Sequence, residues 1–399
     1  MKHYTYLIVG GGMTAYAAIM GIHEVDEKGS IGLFGMETHR PYTRPPLTKS
    51  LWKGKPLDRI WLRDIPEKQS TLHLGVRINS INTVEKQVAD DLGNTYSYDK
   101  LLLATGGKIR QLTYDNDLIL YYRTLDDYQH LRTLTSRGKK FAVMGGGFIG
   151  AEIAAALSMF GEKVAMVFPE DGIGARIFPA DLSEYITNYY REKNVEVFKG
   201  IQVTNIRKDK GQAVLLTDQD ELMRADLVIA GIGIAPDTDL AIQAGIKLSN
   251  GIEVDESLRT SQPDIYSAGD VASFYNPALT AHMRVEHVDN ALTMGKAAGR
   301  NMAHAFKNEP AEPYHHLPYF YSDLFDLGYE AVGKLDSSLE TFSDWQEPFK
   351  KGVVYYLKDN RVRGVLLWNV WEKVEKARAL VAEAGPITVA DLKKRRPIV

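Results

Sequence analysis

The feature that most constrains this chain is a strand-turn-helix grammar written twice. In the first copy, Tyr6–Ala15 reads Tyr-Leu-Ile-Val-Gly-Gly-Gly-Met-Thr-Ala, so an apolar run ends in Gly10-x-Gly12-x-x-Ala15 and flows into Ala15-Tyr-Ala-Ala-Ile-Met. Gly10 permits a sharp bend, Gly12 lets a ligand's phosphates approach the backbone, and small Ala15 lets helix and strand pack closely. The helix start adds unpaired N–H groups and a positive dipole end, which suit a pyrophosphate; Thr14 belongs to the same loop. In the second copy, Lys140-Phe-Ala-Val-Met leads into Gly145-Gly-Gly147-Phe148-Ile149-Gly150-Ala-Glu152, a full Gly-x-Gly-x-x-Gly. One glycine fingerprint is a weak signal. Here, however, both copies close alike: Tyr98-Asp99-Lys-Leu-Leu-Leu-Ala104-Thr105-Gly106 answers Arg224-Ala-Asp226-Leu-Val-Ile-Ala-Gly231-Ile-Gly233. Such agreement marks an internal duplication of one dinucleotide-binding module.

The 399 residues allow about two to three domains. There are no cysteines, which removes disulfides, thiolate metal sites, iron–sulfur ligation and any redox-active dithiol. Redox chemistry in this chain would have to be carried by a bound cofactor. A net charge of −3 gives no strong field for nucleic acid or anionic membrane. The start of the chain has no basic-then-apolar leader, so a cytoplasmic protein is expected. Phe141–Phe160 is apolar enough to suggest a membrane span, but its four glycines and Glu152 fit a buried strand-turn-helix better.

In a dinucleotide fold the second strand ends in an acid for the ribose, about 20 residues past the glycines. After Ile31–Phe34 the candidate is Glu37, which otherwise is a solvated loop carboxylate. In the second module Val164–Phe168 runs into Pro169-Glu170. An acid there accepts a hydrogen bond from a 2′-hydroxyl and repels a 2′-phosphate, which argues for NADH over NADPH, and Arg176 lies close enough in sequence to weaken that preference. In Arg44-Pro-Pro-Leu-Thr-Lys49 the prolines fit a helix start, putting Arg44 and Lys49 at or just inside a positive helix end, as anion contacts or as surface charges. Residues 72–98 read as short strands with turns. Further on, Ala268-Gly269-Asp270 offers close backbone approach and one fixed acceptor for a ribityl or ribose hydroxyl, with a helix N-cap as the alternative role of Asp270. Glu286-His287-Val-Asp289 opens a helix whose first N–H groups suit an electron-rich ring edge, and no spacing among His282, Glu286 and His287 matches a metal site. Lys307–Pro318, with three prolines, is a linker in which His315 and His316 should face solvent; β-rich runs follow from Tyr319 to about Asn369, then a polar helix at about 371–383. The tail Lys393-Lys-Arg-Arg396 fits a solvated end better than a nucleic-acid element.

With these motifs placed, the chain resembles the two-dinucleotide flavoprotein reductases, and within them apoptosis-inducing factor. Arg44-Pro-Pro-Leu-Thr-Lys49, Gly-Gly-Gly-Phe-Ile-Gly-Ala-Glu152, Val285-Glu-His287, Tyr321-Ser-Asp323, Val332-Gly-Lys-Leu-Asp336 and Tyr355-Tyr-Leu-Lys-Asp carry the resemblance, which spans nearly the whole chain. Ferredoxin and rubredoxin reductases are its close cousins. The resemblance implies an α/β fold with two Rossmann-like, glutathione-reductase-like domains: FAD-binding at 1–112 and 237–312, NAD(H)-binding at 113–236, and a C-terminal α+β domain at 313–399 covering the flavin. It implies flavin contacts at Arg44 and Lys49, with Lys49 paired to Glu152 near flavin N5. Asp270 would hold the ribityl chain, Glu286 and His287 would lie at the ring's pyrimidine end, and Phe148 would lie where nicotinamide enters, unless it only fills space. The family's ribose acid aligns with Met36, one place before Glu37, and its aromatic wall is a Trp where this chain has Tyr321. The expected activity is hydride transfer from NADH to FAD, with electrons leaving to a small ferredoxin- or rubredoxin-like iron–sulfur protein, a quinone or other small acceptor, or oxygen. A homodimer is expected. The competing expectation is an NADH-responsive redox switch whose long-lived reduced complex controls dimerisation or partner binding.

Overall fold

The computed structural model describes residues 1–114, 117–218, 220–395 and 398. Arg396 of the basic tail lies outside the described residues. The chain divides into two compact units: unit 1 holds Met1–Thr43, Asp58–Lys108 and Ala235–Tyr319, and unit 2 holds Arg44–Leu57, Ile109–Ile234 and Phe320–Val399.

Unit 1 is built on the first module. Its sheet runs in the order Ser70–Leu74, Ile31–Gly35, Lys2–Val9, Thr95–Leu103, Gln87–Asp90, Ile78–Asn82, with Ile265–Ser267 added to Thr95–Leu103. The strand Lys2–Val9 is parallel to both neighbours and carries Leu7 and Ile8 at 0% exposure, because a parallel strand covered on both faces needs a continuous apolar run. Val9 pairs with Phe34 on one side and Leu103 on the other, while Ser267 pairs with Leu103. That register brings Gly10, the loop after Gly35, Ala104 and the Gly269 turn out of one edge of the sheet. Helix Met13–Val25 crosses helix Val288–Phe306 at backbone contact: a Cβ on Gly299 would stand 2.1 Å from the Ala18 carbonyl oxygen, and one on Gly295 2.4 Å from that of Thr14.

Unit 2 repeats the plan. Val195–Lys199, Lys163–Phe168, Lys140–Met144, Leu227–Ala230 and Ile119–Tyr121 lie in that order, all parallel. Met144 pairs with Val167 and with Ala230, so Gly145, Glu170 and the Gly231–Gly233 turn leave the same edge. The apolar stretch 141–160 is the strand Lys140–Met144 and the buried helix Phe148–Phe160, and among the described residues no helix is long and apolar enough to cross a membrane. The C-terminal part is an antiparallel sheet in the order Tyr319–Leu324, Leu327–Gly333, Arg361–Trp368, Lys351–Lys358, Glu340–Glu347, followed by helix Val374–Ala382.

Three local expectations change. Pro45–Leu47 forms a single 3-10 turn with Thr48 at its C-terminal cap, so Lys49 lies beyond the end of that turn and not at a positive helix start. Two consecutive prolines pre-set the turn but remove two N–H donors, and no longer helix follows. Asp270 sits inside the 3-10 turn Gly269–Val271, whose N-cap is Ala268, so the capping role falls away. Within the linker, His316 is not turned to solvent: its Nε2 lies 2.6 Å from Asp289 Oδ2, in the first turn of helix Val288–Phe306, and the same oxygen accepts the Tyr319 N–H at 3.1 Å.

Candidate active site

In unit 1 the residues expected around one dinucleotide gather at the sheet edge. Gly10 has φ +124°, and a Cβ there would stand 2.1 Å from the Ala104 carbonyl oxygen, so the ends of strands Lys2–Val9 and Thr95–Leu103 can meet at this turn only through glycine. Gly12 is different: a Cβ on it would meet nothing within 4 Å. The space in front of Gly12 lies at the N-terminus of helix Met13–Val25, which is the cradle a pyrophosphate requires. Ala15 is fully buried and Thr14 nearly so. Gly269 closes on them, since a Cβ there would stand 2.2 Å from Thr14 Oγ1; this contact carries Asp270 to the start of the same helix. Ala104-Thr105-Gly106 is tied down as well, with Thr105 Oγ1 donating to the Asp237 carbonyl at 2.6 Å and the Asp237 N–H donating to that of Gly106 at 3.0 Å.

Glu37 follows the second strand as expected, and its Oε2 accepts the Tyr42 hydroxyl at 2.5 Å, a partner that sequence reasoning missed. Met36 beside it is 62% exposed. The adjoining loop lines a cavity of about 650 Å³ with His39, Arg40, Trp61 and Arg63 in its walls, a volume suited to a small organic ligand group. Glu286 pairs with the well-buried Arg284 at 2.6 Å, and His287 is the N-cap of helix Val288–Phe306. Arg284 also donates to the Asp270 carbonyl at 2.9 Å, so Asp270 and Glu286 are held through one guanidinium.

Unit 2 has its own cradle. Gly145, at φ +110°, would place a Cβ 2.4 Å from the Gly231 carbonyl oxygen, and Gly150 would place one 2.0 Å from that of Gly145. Gly147, the N-cap of helix Phe148–Phe160, again faces open space, as does Gly233. Ile149 is 39% exposed, and Phe148 is half-buried with its ring edge-on to Phe320 at 5.6 Å. Glu170 stands two residues past the end of the strand Lys163–Phe168, and Arg176 Nη2 approaches its Oε1 at 2.5 Å.

The same unit holds a buried charge. Glu152, 5% exposed, takes Lys49 Nζ at 2.6 Å and the Ser322 hydroxyl at 2.5 Å on Oε1, and the Thr48 hydroxyl at 2.6 Å on Oε2. A buried carboxylate is tolerated when its lone pairs are filled and a cation neutralises it. Two fully buried phenols surround it. Burial, and then the Glu152 charge, raise Tyr190 and Tyr329 well above the usual tyrosine range, so both stay protonated. Tyr321 presents its ring to Lys49, with Nζ 5.5 Å from the centroid, a cation–π distance. Arg44 donates from Nη1 to the Arg123 carbonyl at 3.1 Å. Thr48 and Ser322 were not singled out in the sequence; their signal was a small hydroxyl residue directly beside Lys49 and beside Tyr321.

Thus Arg44, Lys49, Phe148, Glu152, Glu170, Gly233 and Tyr321 belong to unit 2, whereas Glu37, Asp270, Glu286 and His287 belong to unit 1. Residues 4–295 match the pyridine nucleotide-disulphide oxidoreductase family, and residues 298–348 and 343–383 match the C-terminal region of apoptosis-inducing factor, mitochondrion-associated. Apoptosis-inducing factor 1, mitochondrial, of Dictyostelium discoideum is 35% identical over 98% of this chain and 80% of its own length. The 5,5′-dehydrodivanillate O-demethylase ferredoxin reductase subunit of a Sphingobium species is 32% identical over 96% of this chain and 94% of its own. Among solved structures, the covalent putidaredoxin reductase–putidaredoxin complex matches with TM-score 0.87 and 28% identity, covering 97% of this chain and 94% of that one. Having no cysteine, the chain lacks the disulphide of the family's name. It belongs to the pyridine nucleotide-disulphide oxidoreductase family, in its apoptosis-inducing-factor-like branch, and is an FAD- and NAD(H)-dependent flavoprotein oxidoreductase.

Proposed function

We propose that the chain is an NADH oxidoreductase that delivers electrons to an external acceptor, a small iron–sulfur protein. The observation that carries this reading is a pair of pyrophosphate cradles in a chain without cysteine: electrons taken from a nicotinamide have no internal dithiol to receive them and must leave the protein. When bound, FAD would supply the means of accepting an electron pair from the nicotinamide and releasing it one electron at a time to two such acceptor molecules. The names of the Sphingobium reductase subunit and of the putidaredoxin reductase complex support the choice of acceptor.

The residue roles rest on the same reading. Gly10, Gly12, Thr14, Ala15, Ala104, Thr105, Gly106, Gly269 and Asp270 hold FAD, with Glu37 on its adenosine ribose and Arg44, Glu286 and His287 as further contacts. Gly145, Gly147, Ile149, Gly150 and Gly233 hold NADH, with Glu170 on its ribose and Phe148 guarding the nicotinamide. Lys49 stabilises negative charge on the reduced cofactor, and Glu152 orients it and moderates its charge. Tyr321 walls the Lys49 ammonium. No group in this set needs to act as a general base, because hydride transfer moves no separate proton.

The test mixes the purified flavoprotein anaerobically with NADH, and separately with NADPH, then adds a [2Fe–2S] ferredoxin, a quinone or air while flavin absorbance is followed. Rapid bleaching by NADH and prompt recovery with the ferredoxin supports the proposal. Recovery only with quinone or air overturns the choice of acceptor. Slow bleaching that leaves a long-lived, long-wavelength species favours a redox switch, and a protein that carries no flavin overturns the whole reading.

A further inference from the structure

Behind the pair formed by Lys49 and Glu152 stands a second row of groups. Ser322 lies on the strand Tyr319–Leu324, at the edge of the C-terminal sheet, and is buried. Its hydroxyl donates at 2.5 Å to Glu152 Oε1, the same oxygen that takes Lys49 Nζ at 2.6 Å. Tyr321, its neighbour on the opposite face of that strand, turns its ring toward the same ammonium. On the far side of Ser322, the Tyr329 hydroxyl is hydrogen-bonded to it. Tyr329 is held firmly in place. Its ring stacks on Trp368 at 5.8 Å and meets Phe178 edge-on at 5.4 Å and Phe320 edge-on at 6.2 Å. Trp368 is fixed in turn, since its indole N–H donates to the Phe349 carbonyl at 2.7 Å.

These contacts set the direction of each proton in the row. A carboxylate only accepts, so Ser322 gives its proton to Glu152. The lone pairs of Ser322 are then left for Tyr329, whose burial keeps the phenol proton in place. The row therefore runs from the Tyr329 O–H to the Ser322 O–H to Glu152, and each donor polarises the next. It ends at a buried ring rather than at solvent, so its effect is to draw charge from one oxygen of Glu152. A carboxylate with fewer donors binds the cation beside it more strongly. We infer that Ser322, backed by Tyr329, is a positioning residue for Lys49: by taking up part of the Glu152 charge, it leaves more of the positive charge of Lys49 to stabilise the reduced flavin. The inference rests on the reading of Lys49 as the cation that serves the reduced cofactor. Glu152 then restrains Lys49, and Ser322 limits that restraint.

The two-electron potential of the bound flavin tests this, measured anaerobically by equilibrating the FAD-loaded protein with a reference dye. Ser322→Ala should make the reduction equilibrium about tenfold less favourable, a downward shift of about 30 mV. Tyr329→Phe keeps the ring and removes only the outer donor, so it should act in the same sense by about threefold, or about 14 mV. Lys49→Met should lower the potential more than either. In the Lys49→Met background, Ser322→Ala should change the equilibrium by less than about twofold, because a residue that acts through Lys49 has nothing left to act on. A potential that Ser322→Ala leaves unchanged or raises, with Lys49→Met still lowering it, overturns the inference and leaves the reading of Lys49 standing. A Ser322→Ala shift that survives in the Lys49→Met background also overturns it. An unchanged potential in Lys49→Met overturns the reading of Lys49 and the inference together. Should Ser322→Ala fail to retain FAD, Tyr329→Phe alone and with Lys49→Met carries the same comparison.

Discussion

Replacing Glu152 with leucine probes the buried network most directly. Leucine is close in size but accepts nothing, so it strands an ammonium that is 11% exposed and two hydroxyl residues, Thr48 and Ser322, that are 7% and 1% exposed. Removing one partner of a buried ion pair costs about 3–5 kcal/mol, because the remaining charge keeps its desolvation penalty without its attraction. Removing both charges with Lys49→Met/Glu152→Leu eliminates that penalty, and the double variant should recover at least ~1 kcal/mol of the loss. Hydrogen exchange is a suitable assay because it reads local opening and does not require the two units to unfold together. At tenfold per 1.4 kcal/mol, the amides of helix Phe148–Phe160 should exchange roughly 100- to 3,000-fold faster in Glu152→Leu. Acceleration below about tenfold, or a double variant no better protected than the single one, would refute the argument that Glu152 holds Lys49 as a desolvated pair.

The remaining predictions concern the cradles, the cation and acid stability. Gly10→Ala should abolish FAD retention, since its Cβ has no room against Ala104, whereas Gly150→Ala should leave FAD bound and weaken NADH, seen as a yellow protein that NADH bleaches poorly. Lys49→Ala should slow flavin reduction by roughly 10- to 100-fold with FAD still bound, measured by anaerobic stopped flow, and an unchanged rate sinks its role. Hydrogen bonds from Ser338, then Lys334, push Asp336 down to about 2, below its ordinary 3.8. A depressed carboxylate contributes stability that is complete above its unfolded value and lost as pH falls through its folded one. Asp336→Asn should therefore flatten the melting temperature against pH between about 4 and 2, with the parent curve steeper; superimposable curves would count against the contact.

The modules themselves were legible because their signals are local. Buried parallel strands need unbroken apolar runs, and a turn pressed against the next strand needs glycine, so Gly10, Gly145 and Gly150 declare in sequence the contacts they make in space. Glu170 could be placed by counting from those glycines, and the helix that opens at Val288 could be read from the run Glu286-His287-Val-Asp289. The 3-10 turn at Pro45–Leu47 was not, since proline is equally at home at the start of a helix and in a turn that goes no further.

What the sequence by itself determined is the duplication, the absence of thiol chemistry and the identity of the charged residues. The Lys49–Glu152 pair that the resemblance implied is formed, and what only the tertiary structure decided is how those charges are brought together and which other groups, Thr48 and Ser322, join them. Arg44–Leu57 lies between two segments of unit 1 in the chain, yet it packs within unit 2, where the Trp52 indole donates to the Leu47 carbonyl at 2.8 Å and stands edge-on to Phe160 at 5.8 Å. That packing brings Lys49 to a glutamate 103 positions away and joins both to Ser322, which lies further still along the chain. No local pattern encodes such a meeting. A buried carboxylate needs its donors gathered from whatever segments fold around it, and their spacing in sequence is set by the chain's path through the fold rather than by any helical or strand period.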